Sequence, residues 1–265
     1  MELYGIPILL FTGIGLIAGI LLTISGKVFY VKVDERIEAV QEVLPQINCG
    51  ACGYSGCADY AHAVVEGAHT NLCKPGGDKV AAAISDLLGV EMEEVEPAAA
   101  FVRCNGSCGA TANKFDYDGI PSCAAASRFY AGPGSCSAGC MGFGDCVRVC
   151  AFDAIRVIDG VAVVDTNACT ACGMCVAACP HKLLEITETV HTVIVACSST
   201  DTGKATRQIC KNGCIACRIC EKKCPEGAIK VADNHASIDY SLCTSCGICV
   251  SVCPVKCIHT RTATA

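Results

Sequence analysis

Residues 243–254 read Cys-Thr-Ser-Cys-Gly-Ile-Cys-Val-Ser-Val-Cys-Pro, which is a C-x2-C-x2-C-x3-C-P run. The same spacing occurs at 169–180 and again at 214–225. Three closely spaced cysteines can surround one cubane cluster from a short loop, while the fourth reaches the other cluster of a pair. Three complete copies in one chain therefore predict several iron–sulfur clusters and a role in electron transfer.

The composition favours metal binding over disulfide bonding. The chain has 265 residues, of which 26 are cysteine. A disulfide scaffold is one alternative, but such scaffolds are short and lack repeated runs of this kind. Structural zinc is another, but zinc ribbons use two separated cysteine pairs rather than four cysteines in one run. Free thiolates imply a reducing compartment, and the net charge of −6 argues against nucleic acid as a partner.

The N-terminal segment has the composition of a membrane span. No charged residue occurs between Glu2 and Lys27, and residues 6–24 are mostly apolar, which is long enough for a hydrocarbon core of about 30 Å. The chain begins Met-Glu-Leu-Tyr, without a basic n-region, so an uncleaved anchor is favoured over a signal peptide. Basic residues after the span place the rest in the cytoplasm. We therefore expect a single-pass protein of the inner (cytoplasmic) membrane that contacts the lipid bilayer through residues 5–25.

The patterns beyond the anchor predict an α+β fold. An apolar stripe at helical spacing is formed by Val33, Ile37, Val40, Leu44 and Ile47. Short strands occur at 99–103, 193–196, 228–231 and 237–239, and 154–165 reads as a hairpin turning at Asp159-Gly160. The predicted segments are a transmembrane anchor at 1–27, a connecting amphipathic helix at 28–48, a small helical single-cluster 4Fe-4S domain at 49–90, an insert with a first two-cluster ferredoxin-like module at 91–190, and a second such module at 191–265.

The spacing predicts five [4Fe-4S] ligand sets. One self-contained set comprises Cys49, Cys52, Cys57 and Cys73. Crossed pairing between the two runs of a module predicts four more. These join Cys169, Cys172 and Cys175 with Cys150; Cys136, Cys140 and Cys146 with Cys179; Cys214, Cys217 and Cys220 with Cys253; and Cys243, Cys246 and Cys249 with Cys224. Phe143 stands where the first run should have a ligand, and Cys136 is the candidate for the missing thiol.

Six cysteines remain, and they either hold a sixth cluster or are buried thiols. The candidates for a sixth site are Cys104, Cys108 and Cys123 with Cys197 or Cys210, whereas Cys257 is interpreted as core. The spacing Cys197-x12-Cys210-x3-Cys214 equals Cys123-x12-Cys136-x3-Cys140, which suggests a duplicated unit. The soluble part has no nucleophile–base arrangement, Walker loop or Rossmann fingerprint. We therefore predict no catalytic residue, flavin or NAD on this chain, and expect chemistry on an organic substrate in a partner.

These motifs together resemble a known family. The anchor, the motif Cys-Gly-x-Cys-Gly-Tyr-x-Gly-Cys at 49–57, Cys73 and the ferredoxin runs are similar to the B-type subunit of the Rnf complex, the membrane-bound, ion-translocating ferredoxin:NAD+ oxidoreductase. The resemblance covers essentially the whole chain, and the cysteines at 104–123 with the second module resemble the longer, clostridia-like form. It implies a translocase subunit that accepts electrons from reduced ferredoxin. Partner membrane subunits would carry flavins, reduce NAD+ and move Na+ or H+.

Two alternative functions are weighed against this one. The first alternative is a polyferredoxin subunit of a hydrogenase or formate dehydrogenase, and the self-contained 49–73 site argues against it. The second alternative is a non-redox zinc or scaffold protein.

A group of basic residues is a candidate docking face for ferredoxin, because small ferredoxins are usually acidic. The alternative is that these residues are ordinary solvated surface. This basic patch comprises Lys211, Arg218, Lys222 and Lys223.

Overall fold

The N-terminal segment forms one long helix in a computed structural model that describes residues 2–29 and 34–261. Helix α1 spans Glu2–Val28. Its part Ile8–Val28 is 21 residues long and apolar enough to cross a membrane, with a length of about 31 Å at 1.5 Å per residue. Its large apolar side chains are exposed, as with Phe11 at 76%. The predicted apolar helix is thus confirmed, and Val33 of the predicted stripe lies outside the described residues.

A small helical domain follows the anchor. Its helices are α2 (Glu35–Val43), α3 (Cys57–Val65) and α4 (Gly77–Leu88). Of the stripe predicted for a connecting helix, Ile37 and Val40 lie on α2, whereas Leu44 is its C-cap and Ile47 lies beyond its end, so the helix is shorter than predicted. Val40 and Leu44 are buried in one cluster with Tyr60 and Ile84. Helix α2 therefore belongs to the core of this domain, because its apolar face has α3 and α4 to pack against.

The first unit, residues 98–188, consists of two antiparallel strand pairs joined by cysteine loops. Strand β1 pairs with β4 and β2 pairs with β3. The predicted hairpin is confirmed, with positive φ at both Asp159 and Gly160, as a type I′ turn requires. The elements are β1 (Ala98–Val102), α5 (Cys123–Ala126), α6 (Asp145–Arg148), β2 (Ile155–Ile158), β3 (Val161–Val164), α7 (Met174–Ala178) and β4 (Leu184–Glu188).

The second unit, residues 193–260, has the same order of strands and helices. Strand β5 pairs with β8 and β6 pairs with β7, and the backbone N–H of Ala196 bonds to the Cys257 carbonyl as that of Arg103 bonds to Leu183. The elements are β5 (Val193–Val195), α8 (Gly203–Ile209), α9 (Ile219–Lys223), β6 (Ile229–Ala232), β7 (His235–Ile238), α10 (Ile248–Val252) and β8 (Ile258–Thr260).

The topology corrects one correspondence drawn from spacing. Strand β1 leads directly into Cys104, and β5 leads directly into Cys197. Cys104 is therefore the counterpart of Cys197, and the equal spacing that matched Cys123 with Cys197 is misleading. The reason is that the loop between Cys104 and Cys136 is longer than its counterpart in the second unit, so it contains Cys123 as an addition.

The two units pack directly on each other through these loops. The Asn212 side-chain amide donates to the Asn105 carbonyl at 2.9 Å, and the Thr111 hydroxyl donates to the Ile209 carbonyl at 2.7 Å. A backbone bond from Lys211 to Ala110, at 2.9 Å, adds a third link. The loops that follow β1 and β5 therefore form a shared interface.

Candidate iron–sulfur centres

The four cysteine runs of the two units fold alike because two residues in each adopt positive φ. These residues reverse the backbone twice, so that successive thiols face the same space. The pairs are Gly142 and Gly144, Ala171 and Gly173, Ala216 and Arg218, and Ser245 and Gly247. A helix of four or five residues then carries the third cysteine, which is buried in every run: Cys146, Cys175, Cys220 and Cys249.

Two of the predicted crossed sets line cavities of their own. The Cys169 site is a cavity lined by Cys150, Cys169, Cys172 and Cys175. The Cys243 site is a cavity lined by Cys224, Cys243, Cys246 and Cys249. Burial and the neighbouring thiols raise the pKa of Cys175 to about 12. Backbone N–H groups point at the sulfurs, from Ala100 to Cys169 at 3.3 Å and from Ser245 to Cys243 at 3.4 Å.

The third crossed set surrounds Cys220. Burial, together with the thiols of Cys214, Cys217 and Cys253, raises the pKa of Cys220 to about 11. We call these four residues the Cys214 site. Its Cys217 is exposed, as is Cys246 of the Cys243 site, whereas their counterpart Cys172 in the first unit is buried. The second unit therefore brings its cysteine loops closer to the surface.

The helical domain brings together the cysteines of the 49–73 motif. Burial and the thiols of Cys57, Cys49 and Cys52 raise the pKa of Cys73 to about 11. The buried Tyr60 of α3 orients the segment that leads to Cys73. Its hydroxyl donates to the His69 carbonyl at 2.9 Å and accepts from the Leu72 N–H at 3.3 Å.

The remaining site of the first unit contains Cys123 and not Cys136. This Cys123 site is a cavity lined by Cys123, Cys140, Cys146 and Cys179. Asp145 at the start of α6 accepts the Cys123 N–H at 3.0 Å and the Ser122 hydroxyl at 2.9 Å. The inserted loop is thereby attached beside Cys146. Phe143 packs against Tyr117 of the same loop, with ring centroids 5.5 Å apart.

A further cavity lies between the two units. The thiols of Cys104 and Cys136 come from the first unit and those of Cys197 and Cys210 from the second, and together they form the interface site. Burial raises the pKa of Cys104 to about 12. The N–H of Cys140 donates to the Cys104 sulfur at 3.3 Å, and that of Cys214 donates to the Cys197 sulfur at 3.2 Å. These equivalent bonds support the correspondence of the two loops.

Two cysteines stand outside these sites. Cys108 is exposed and its N–H bonds to the Asp159 carbonyl at the hairpin turn. Cys257 is buried, with 1% exposure. The sequence grouped Cys108 with Cys104 and Cys123, but the structure separates all three. The spacing of these three cysteines in the sequence does not show that they lie apart, because their positions depend on how the inserted loop folds back onto the first unit.

The residues fit [4Fe-4S] clusters. In residues 2–29 and 34–261, no three Cys, His, Asp or Glu side chains are close enough to bind one metal ion. The thiols instead form all-cysteine sets, the ligands that iron–sulfur clusters use, and four of these sets line cavities. Burial raises the pKa of Cys73, Cys175 and Cys220, so these thiols are neutral without metal and release protons when they bind it.

Comparisons with known proteins identify the family. Residues 44–75 match a family model for an Fe–S cluster, and residues 162–185, 211–227 and 236–259 match models for a 4Fe-4S binding domain. The B-type subunit of the Na+-translocating ferredoxin:NAD+ oxidoreductase complex of Acetobacterium woodii is 42% identical over 255 residues, which cover 96% of this chain and 77% of the relative. The chain belongs to the family of B-type Rnf complex subunits.

Two other members of this Rnf family are similar along nearly all of both chains. The B-type subunit of the ion-translocating oxidoreductase complex of Methanosarcina acetivorans is 43% identical over 251 residues, or 94% of this chain and 95% of the relative. The B-type subunit of the proton-translocating ferredoxin:NAD+ oxidoreductase complex of Clostridium ljungdahlii is 41% identical over 252 residues, or 93% and 89%. As an Rnf subunit, the chain is an electron-transfer component of an oxidoreductase complex and has the other Rnf subunits as partners.

Proposed function

We propose that this chain accepts electrons from reduced ferredoxin and relays them within an Rnf complex, whose partner subunits reduce NAD+ and translocate Na+ or H+. The observation that carries the proposal is a contiguous series of cysteine sites through both units, in a chain more than 40% identical to three B-type Rnf subunits. Bound [4Fe-4S] clusters supply one-electron transfer. The chain's own residues hold the sites next to one another and bury the third cysteine of each run in the two units.

The proposal assigns six clusters to 24 of the 26 cysteines. Five of these clusters correspond to the five ligand sets predicted from spacing, except that Cys123 replaces Cys136 in one of them. The sixth cluster occupies the interface site. In this assignment the units 98–188 and 193–260 are two-cluster ferredoxin-like modules within the predicted segments 91–190 and 191–265. The sixth ligand set differs from the predicted one because two thiols come from each unit.

The contacts between sites support a single route through the two units. Cys175 of the Cys169 site has Cys146 of the Cys123 site among its neighbouring thiols. Cys140 lines both the Cys123 site and the interface site. On the other side, the Cys214 N–H bonds to Cys197. The interface site therefore connects the Cys123 site of the first unit with the Cys214 site of the second.

The anchor and the docking surface complete the proposal. Helix α1 would insert into the bilayer because it exposes a continuous apolar surface, and the basic residues after it favour a cytoplasmic location for the cysteine sites. Exposed Lys222 and Lys223 occupy the last turn of α9, shortly after exposed Cys217. We propose that this face of the Cys214 site receives reduced ferredoxin.

Metal analysis of the anaerobically purified full chain in detergent tests the cluster assignment. Six cubanes require about 24 iron and about 24 acid-labile sulfide per chain, and five require about 20 of each. EPR of the dithionite-reduced protein checks that the iron is in reducible clusters. Zinc without sulfide would refute the proposed function.

Stopped-flow reduction by ferredoxin tests the docking surface. The double variant Lys222→Glu/Lys223→Glu should lower the association rate by roughly tenfold or more at low ionic strength and weaken its salt dependence. The matched control is Lys79→Glu/Arg128→Glu, which makes the same charge change at exposed residues on α4 and on the inserted loop. Equal rates for the two double variants would contradict this docking surface.

A further inference from the structure

Cys257 is a buried thiol beside two cysteines of the Cys214 site. Its side chain is 1% exposed, and its Sγ lies 3.6 Å from Sγ of Cys253. Its side chain also neighbours that of Cys214. Cys253 and Cys214 come from the two different cysteine runs of the second unit and are predicted to bind the same cluster, so Cys257 lies beside one ligand set.

The same position in the other three halves of the units has no polar side chain. Four residues after the last cysteine of each run stand Ala154, Leu183, Ala228 and Cys257. All four are buried, at 1–2% exposure. Their carbonyl groups accept equivalent backbone bonds, from Asp165, Arg103, Asp239 and Ala196 respectively. The positions are therefore matched by the fold, and only Cys257 among them has a side-chain donor.

The direction of the hydrogen bond follows from the chemistry of the ligands. Cysteines that bind iron are thiolates and have no proton to give. The hydrogen bond between Cys257 and Cys253 in the loaded site must therefore use the S–H of Cys257 as donor. Such a bond stabilises negative charge on the ligand sulfur.

We propose that Cys257 donates an S–H···S hydrogen bond to Cys253 and thereby raises the reduction potential of the cluster at the Cys214 site. The inference rests on the proposed function, because it assumes that this site holds a [4Fe-4S] cluster. Reduction adds negative charge to a cluster, so donors to its sulfurs favour the reduced form. A higher potential at this site would help it take electrons at the proposed docking surface.

Redox titration followed by EPR, on the full chain in detergent, tests the role of Cys257. The signal of the Cys214 site is identified first, as the one altered by the ligand variant Cys217→Ser. Cys257→Ala, which installs the residue found at 154 and 228, should then shift that potential to more negative values. We expect roughly a threefold to tenfold change in the one-electron equilibrium, where tenfold corresponds to about 59 mV. Cys257→Ser keeps a donor and should shift less, or in the opposite direction.

The outcomes separate the inference from the proposed function. If Cys217→Ser changes neither the iron content nor any EPR signal, the Cys214 site holds no cluster and both fail. If the site is present but Cys257→Ala has the wild-type potential, or if Cys257→Ala and Cys257→Ser shift it equally, Cys257 only fills space and the inference alone fails. Should Cys257→Ala lose iron, Cys257→Val, which fills the space without a donor, takes its place in the comparison.

Discussion

Cys123→Ala tests whether the inserted loop supplies the thiol that is missing at Phe143. Cys123 shares its cavity with Cys140, Cys146 and Cys179, so the variant leaves three thiols around that space. A cubane cluster with three protein ligands is labile, and we expect the loss of about four of about 24 iron atoms. The remaining sites draw on other cysteines and should keep their iron.

A second substitution should restore the lost cluster at the ferredoxin position. Phe143 lies between two residues of positive φ, Gly142 and Gly144, as Cys217 lies between two in its own run. A thiol at 143 should therefore face the same cavity, and Cys123→Ala/Phe143→Cys should recover the four iron atoms. Losing the contact of Phe143 with Tyr117 costs about 1 kcal/mol, which is small beside the roughly 5–15 kcal/mol stability of a domain.

The assay is iron and acid-labile sulfide on the full chain, with EPR after dithionite reduction. Cys108→Ala is the matched control, since Cys108 is an exposed cysteine of the same loop, and it should keep all iron. Cys136→Ala should lose iron from the interface site, and Phe143→Cys should not restore it. Full iron in Cys123→Ala, or restoration of Cys136→Ala by Phe143→Cys, would refute the assignment of Cys123.

Three further predictions concern stability and pH. Tyr60→Phe removes a hydroxyl that bonds to two backbone groups before Cys73, and should lower the free energy of unfolding by about 1–3 kcal/mol in urea titrations. Gly203→Ala places a Cβ against the Ile215 carbonyl and should cost about 1–3 kcal/mol by the same measurement. Because the pKa of Cys175 is raised to about 12, protons compete strongly for its sulfur. Chelator-induced bleaching of the loaded chain should accelerate from about pH 8 to about pH 6, since protonation opposes iron binding.

Matched variants distinguish these effects from general damage. Tyr130→Phe removes the hydroxyl of a tyrosine that is 86% exposed, and Gly109→Ala adds a Cβ with nothing within 4 Å. Both should unfold like the wild type. A stability of Tyr60→Phe equal to that of Tyr130→Phe would show that the buried hydroxyl is dispensable. A bleaching rate independent of pH would contradict proton competition at the thiols.

Much of the fold, and several of the cysteine sites, can be predicted from residues that are close together in the sequence. The apolar segment forms α1, and the Asp159-Gly160 turn forms its hairpin, because residues a few positions apart determine helices and tight turns. Cysteines three residues apart share a cavity for the same reason. The strand order of a unit brings Cys150 to the 169–175 run and Cys224 to the 243–249 run, as crossed pairing predicts. The resemblance to the Rnf family also rests on such motifs.

Long-range packing determines the groupings that spacing could not predict. The loop between Cys104 and Cys136 could have returned either Cys123 or Cys136 to the Cys140 run, and the bonds of Asp145 to Ser122 and Cys123 select the first. That leaves Cys136 to join Cys104 in the interface site. Cys197 and Cys210 reach that site only because the two units pack on each other. Spacing cannot show this, since the contacts join residues about a hundred positions apart in the chain.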